Sequence, residues 1–291
     1  EELIESRLDL IDISMSTYKV DSEISEFNRL MPGEKSSISD DFVSVYRTSK
    51  EIWEISNGAF NPAIGPLVDL WGFGPEKKND HIPVAQEIDK LLLASKFSNV
   101  SLQNSDDNFN LVKLDNVNLD FSGVAKGYAA DVIADLLEMS ALPNYLVEIG
   151  GEMRVSGVNS EEKPWRLAIE SPSELKQIET IISGINGGIA TSGDYRNYFE
   201  VENERYSHTL DPRTGYPIKH SLASVTVIAE TGARADAIAT ALMVMGEIEG
   251  MKMAEKNNIP AFMVTRIDQD YRTSYSSSMD KYLNFGAVDI D

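Results

Sequence analysis

Between Asn57 and Pro75 the chain runs NGAFNPAIGPLVDLWGFGP, with four glycines and three prolines in 19 residues. Proline fixes φ and removes a main-chain donor, and glycine raises the entropy cost of order. Neither a regular helix nor a central strand is expected over such a stretch. Its aromatic and aliphatic side chains are equally out of place in a solvated linker. A chain that carries this segment is expected to fold it as an ordered, irregular wall, held by regular elements on either side.

Those elements can be traced by periodicity. Leu3, Arg7, Leu10 and Ile11 recur at helical spacing, and a turn-like stretch, STYKVDSEISEFN, follows from Ser16 to Asn28. Asp40 is expected to cap a helix through Ile55, with Val43, Tyr46 or Val45, Ile52 and Ile55 inward and Asn57-Gly58 as its left-handed end. Leu119–Phe121 reads as a short strand, and Gly123 as the opening of a helix to about Met139, striped by Tyr128, Ala129, Val132, Ile133, Leu136 and Leu137. Strands are expected at Tyr145–Ile149, Trp165–Ile169, Tyr206–Leu210, Ser224–Ala229 and Ala261–Val264. Ala235, Ile238, Ala239, Leu242 and Met243 mark a further helix. No repeat of 20–50 residues occurs. The pattern is α+β (mixed α/β), a mostly antiparallel sheet with packed helices. It is expected to form one domain over 1–291, with the polar stretch 76–118 as a peripheral excursion.

Charge narrows the function. With 26 Lys and Arg against 47 Asp and Glu, the net charge is −21. That field repels a phosphodiester backbone or an anionic membrane, so no nucleic-acid partner is expected. An anionic substrate would need a metal ion or oriented N–H groups to offset the repulsion. The absence of cysteine excludes disulfides, thiolate metal sites and thiol nucleophiles. No run of 18 apolar residues is present.

Several segments bear chemistry, each with an ordinary structural explanation beside it. In LDFSGVAKGYAAD, Leu119 to Asp131, a strand enters a helix N-terminus beside two glycines and Lys126, a setting for phosphate. A capped helix with a surface lysine explains the same residues. Asp236 and Thr240, four apart on a helix, share a face and form an oxygen-only set suited to Mg2+ rather than zinc. The alternative is an aspartate favouring the helix dipole and a threonine bonding its own helix. His208 stands before the turn DPRTG as a candidate base or ligand contact, or else a buried, satisfied histidine. Gly150-Gly151 and Thr191-Ser192-Gly193 allow backbone approach to a ligand, hairpin turns being the alternative. Arg196 is a candidate anion contact. There is no Walker A loop, no strand-borne GxGxxG and no GxSxG elbow.

Taken in order, STYKVDSEISEFN, NGAFNPAIGPLVDLWGFG, LDFSGVAKGYAAD, NYLVEIGGEMR, PWRLAIE, ATSGDYRNYFE, YSHTLDPRTGYPI and ADAIATALMVMG resemble the ApbE family of flavin transferases over nearly the whole chain. The resemblance implies an FAD site in a central cleft and a Mg2+-dependent reaction. A Ser or Thr hydroxyl of an acceptor protein attacks the FAD pyrophosphate, FMN becomes attached through a phosphoester, and AMP leaves. A metal-dependent FAD pyrophosphatase and a non-enzymatic FAD-binding protein are the alternatives.

By the same resemblance Asp236 and Thr240 are metal-binding side chains, and Gly123 contributes to the metal through its backbone. Tyr18, Ala59, Phe60, Asn61, Asp120, Lys126 and Leu210 match FAD contacts, and His208 is the expected base for the acceptor hydroxyl. Acceptors are expected among subunits of membrane redox pumps. Family members carry a Met-Gly-Thr strand and an export signal ahead of the first helix, inside which this chain begins. Family habit therefore implies a periplasmic location, lipid-anchored to the inner membrane in the precursor.

Overall fold

Val225 and Val227 join one apolar core and Ile228 another, the two-residue alternation of a strand buried on both faces. The computed structural model describes residues 2–74, 82–105, 108–172, 178–194, 198–201, 204–268 and 270–283. It places those valines on β13 (Leu222–Ala229), in the middle of a six-stranded sheet. The others are β4 (Tyr145–Ile149), β5 (Glu152–Ser156), β8 (Gly187–Gly193), β14 (Ala261–Ile267) and β15 (Asp270–Tyr275), all paired antiparallel in the order β15-β14-β13-β8-β5-β4. Two helices cover one face, α6 (Ala125–Met139) and α7 (Gly232–Lys256). On the other face Phe262, Val264 and Ile189 meet Ile169 and Ile182 of the hairpin β6 (Arg166–Glu170) and β7 (Ile178–Ser183).

The remaining elements stand around this centre. α1 (Glu2–Met15), α2 (Glu23–Arg29) and α3 (Asp40–Ile55) form a helical flank, with α3 against α7. A small sheet of β1 (Lys35–Ile38), β3 (Asn108–Lys113) and β2 (Val100–Ser105) closes over α3. α4 (Gly65–Leu70) packs on α5 (Ala85–Ala94), and β9 (Tyr198–Val201), β10 (Glu204–Ser207), β11 (Leu210–Asp211) and β12 (Tyr216–Pro217) make two short hairpins. Within 76–118, Ile88, Val100 and Leu111 are buried. No helix among the described residues is long and apolar enough to cross a membrane.

Local chemistry departs from the sequence pattern at several points. Ser39, not Asp40, caps α3, its Oγ accepting from the Phe42 N–H at 3.2 Å, while Asp40 adds negative charge in the first turn. The end of α3 does turn left-handed at Asn57 (φ 50°) and Gly58 (φ 80°). Residues 23–29 form a helix where a turn was expected, because Ser22 caps them from Ser25 N–H. The Gly/Pro-rich wall also contains a short helix, Gly65–Leu70, because Pro66 falls in its first turn, where no donor is missed.

Leu119–Phe121 is not a strand. Instead the Asn28 side chain brackets Leu119, donating to its carbonyl at 2.9 Å and accepting its N–H at 2.7 Å, so the backbone is satisfied without a partner strand. The helix that follows starts at Ala125 rather than Gly123. Tyr206–Leu210 is likewise broken after Ser207, whose Oγ takes the Thr209 N–H, and His208 occupies the break.

Three glycines set the spacing at the centre. A Cβ on Gly127 of α6 would lie 2.1 Å from the Gly232 carbonyl oxygen, and one on Gly188 of β8 would lie 2.2 Å from the Gly232 nitrogen. The main chains of α6, β8 and α7 therefore meet with no room for a methyl group. This contact brings the beginnings of both helices to one corner.

Candidate active site

Each of those helices is capped by the other. Asp131 of α6 accepts the N–H groups of Gly232 (2.6 Å) and Ala233 (2.9 Å), while Thr231 caps α7 from Arg234 N–H. α6 has no capping side chain of its own, and Asp236 of α7 accepts the Gly127 N–H at 3.1 Å. The exchange fixes Lys126, in the first turn of α6, beside Asp236. Lys126 Nζ lies 3.9 Å from Asp236 Oδ2 and 3.3 Å from Glu152 Oε1 of β5.

One turn beyond Asp236, Thr240 faces Gly123. A Cβ there would meet Thr240 Oγ1 at 3.1 Å and Phe60 at 3.3 Å, so the backbone of Gly123 lies close against the threonine hydroxyl. The Gly150-Gly151 turn between β4 and β5 has φ of 65° and 104° and lies over the Lys126 stem, which a Gly150 Cβ would approach to 3.1 Å. It is thus both a hairpin turn and part of the cleft wall.

These groups lie in a cleft of about 940 Å³. The residues expected to bind the metal, to contact FAD or to act as base all line it: Tyr18, Ala59, Phe60, Asn61, Asp120, Gly123, Lys126, His208, Leu210, Asp236 and Thr240. Tyr18 stands at the rim, 74% exposed, whereas Ala59, Phe60 and Leu210 are buried in the wall. Asn61 spends its side chain internally, donating to the Ser95 carbonyl and accepting from Ala63 N–H. Asp120 accepts the N–H and hydroxyl of Ser122 in the turn before α6. Phe73 sets its ring edge-on to His208, 6.3 Å between centroids. Thr191, Ser192 and Gly193 also line the cleft, and Asp194 pairs with Arg266. Arg196 lies outside the described residues.

The electrostatics are those of a site short of positive charge. Asp236 is 3% exposed, and burial raises its pKa against the opposing pull of Lys126 and the Gly127 N–H. Glu152, 6% exposed, is pushed up to about 7 by burial and then by the charge of Asp236, with Lys126 offsetting part of the rise. Burial works against the charge of Lys126, yet Asp236 and Glu152 outweigh it and hold its pKa above the usual lysine value.

Among the described residues no group of three His, Cys, Asp or Glu side chains is placed to hold a metal. The donors are carboxylates, a hydroxyl and backbone, the hard oxygen set that suits Mg2+ completed by water and substrate phosphates. Glu152 was not singled out by sequence pattern. A lone acid opening a strand after a glycine turn resembles a surface position, whereas here it pairs opposite Ile149 and meets Lys126 from α6.

Comparison with known proteins places this arrangement. The model of the ApbE family matches residues 1–263. The FAD:protein FMN transferase of Haemophilus influenzae is 40% identical over 284 residues, covering 96% of this chain and 82% of that protein. The FAD:protein FMN transferase of Escherichia coli is 38% identical over 285 residues, covering 97% and 81%. Among solved structures, the flavin transferase ApbE from Vibrio cholerae superposes with a TM-score of 0.87 at 38% identity, covering 97% of this chain and 89% of that one. The apo flavinyl transferase ApbE of Pseudomonas stutzeri gives 0.90 at 38% identity, covering 98% and 88%. The fold is that of the flavin transferases, mixed α+β around an antiparallel sheet. The chain belongs to the ApbE family.

Proposed function

We propose that the chain is a Mg2+-dependent FAD:protein FMN transferase. The observation that carries this reading is the convergence of Asp236 and Thr240 from α7 with Gly123 and Lys126 at the entrance of α6, inside a cleft large enough for a dinucleotide. Asp236, Thr240 and the Gly123 backbone would hold the metal. When bound, Mg2+ neutralises pyrophosphate charge and stabilises the departing phosphate oxygen.

The chain's own residues supply the rest. Lys126 presents its ammonium to the pyrophosphate, and Glu152 with Asp236 keeps that ammonium charged. Tyr18 and the apolar Ala59-Phe60 wall, with Asn61, Asp120 and Leu210, hold and orient the FAD rings and ribityl chain. His208, steadied by Phe73, takes the proton of the acceptor Ser or Thr hydroxyl as its oxygen bonds to the FMN phosphorus. The bond from that phosphorus to the bridging oxygen breaks, and AMP leaves with it. Catalysis of this kind is positioning and charge stabilisation, so the enzyme needs no nucleophile of its own. Acceptor subunits of membrane redox pumps and a periplasmic, lipid-anchored location complete the proposal by analogy with the family.

The test is incubation with FAD, Mg2+ and a candidate acceptor while AMP and acceptor mass are followed together. AMP release matched by one FMN added to the acceptor is expected. Asp236→Ala should abolish both, whereas His208→Ala should retain FAD binding and slow transfer roughly 10²- to 10⁴-fold. AMP released over an unmodified acceptor would mean that water is the nucleophile and the chain a pyrophosphatase.

A further inference from the structure

Glu152 lines the cleft at 6% exposure, and among the described residues one oxygen of its carboxylate has no hydrogen-bond partner. Oε1 faces Lys126 Nζ at 3.3 Å, but Oε2 has no solvent contact and no hydrogen-bond partner among the described residues. A buried carboxylate oxygen left in that state destabilises the fold unless something completes it. Lys126 cannot do so alone, because the same ammonium also serves Asp236 at 3.9 Å. With both carboxylates ionised, as metal binding requires, one lysine between them leaves the corner net negative, the wrong sign for a pyrophosphate. A divalent cation inverts that sign and supplies the missing partner.

We propose that Glu152 is a further protein donor to the divalent cation held by Asp236 and Thr240, acting on the metal directly or through one of its waters. The inference rests on the metal-dependent reading above. It gives β5 a share in a site otherwise built from the starts of α6 and α7. The Gly150 turn, glycine by its φ of 65°, passes beside the same groups: a Cβ there would stand 3.1 Å from the Lys126 stem and in ordinary contact, 3.5 Å, with Oε2. The competing explanation is that Glu152 only holds Lys126 in place for the substrate.

The two explanations separate in a metal titration without substrate. Mn2+ alone is added to the FAD-free chain, and free Mn2+ is read by electron paramagnetic resonance. The proteins are wild type, Glu152→Gln, Lys126→Met and the double variant, with thermal melting as a check on folding. Glu152→Gln is expected to raise the Mn2+ Kd tenfold or more, and to do so equally in the Lys126→Met background. An unchanged Kd overturns the inference, and so does a loss that disappears once Lys126 is gone. Should Glu152→Gln fold poorly, Glu152→Asp makes the same comparison: a raised Kd supports the inference and an unchanged one overturns it. A wild-type chain that binds no Mn2+ would instead bring down the metal-dependent reading, and the inference with it.

Discussion

Glu152 and Asp236 both pay for burial in the metal-free chain, and the sign of the resulting pH dependence can be worked out. An isolated glutamate titrates near 4.5, whereas Glu152 in the fold is pushed up to about 7, first by burial. Between those values the folded state holds a proton that the unfolded chain has released. Stability therefore falls as pH rises from about 4.5 to about 7 and levels off above. At about 1.4 kcal/mol per pH unit the loss is on the order of 3 kcal/mol at most. Asp236 is raised in the same direction, so a variant is needed to isolate Glu152. Urea unfolding of wild type and Glu152→Gln, both without metal, at pH 5 and pH 7.5 makes that separation. The variant should gain relative to wild type at the higher pH, and parallel behaviour of the two proteins would show that Glu152 titrates normally.

Helix propensity and packing make opposite forecasts for Gly127, and magnitudes decide between them. Glycine within α6 is about 1 kcal/mol worse than alanine on propensity alone, so Gly127→Ala would stabilise an isolated helix. In the fold its Cβ would lie 2.1 Å from the Gly232 carbonyl, against rigid backbone. Overpacking costs typically 1–3 kcal/mol even where side chains can yield, so a net loss of roughly 3 kcal/mol is expected. Activity should suffer beyond that, because the two helices exchange caps and carry Lys126 and Asp236 to the same corner. Urea midpoints together with AMP release at a temperature where the variant remains folded would show both effects. Unaltered stability would mean the helix contact can slide.

The same contact marks how far the sequence could be followed. The Asp236/Thr240 pair was legible because a 3.6-residue period alone puts both on one face, and β4, β6, β13 and β14 were legible from their apolar runs and alternation, whereas β5, β8 and β15 of the same central sheet were not. Glu152 was not, since its burial comes from strand pairing opposite Ile149 and from Lys126, far away in the chain. The strand break at His208 and the bracketing of Leu119 by Asn28 depend in the same way on partners that local pattern does not name.

At the scale of the whole molecule the net charge of −21 and the cleft point the same way. Among its described lining residues the cleft carries Asp120, Glu148, Glu152, Glu170 and Asp236 against Lys126 alone. An approaching FAD pyrophosphate thus meets repulsion at long range from the surface and at short range from the walls. The metal can cancel only the short-range part. Salt screens the rest, since the Debye length shrinks from roughly 30 Å at 0.01 M to about 8 Å at 0.15 M. With Mg2+ in fixed excess, the rate of FAD association, followed by flavin fluorescence in a stopped-flow instrument, should rise roughly two- to fivefold between 20 and 300 mM KCl. A rate that falls with salt would mean that Lys126 and the bound metal present an attractive field well outside the cleft, and that the acidic surface plays no part in substrate capture.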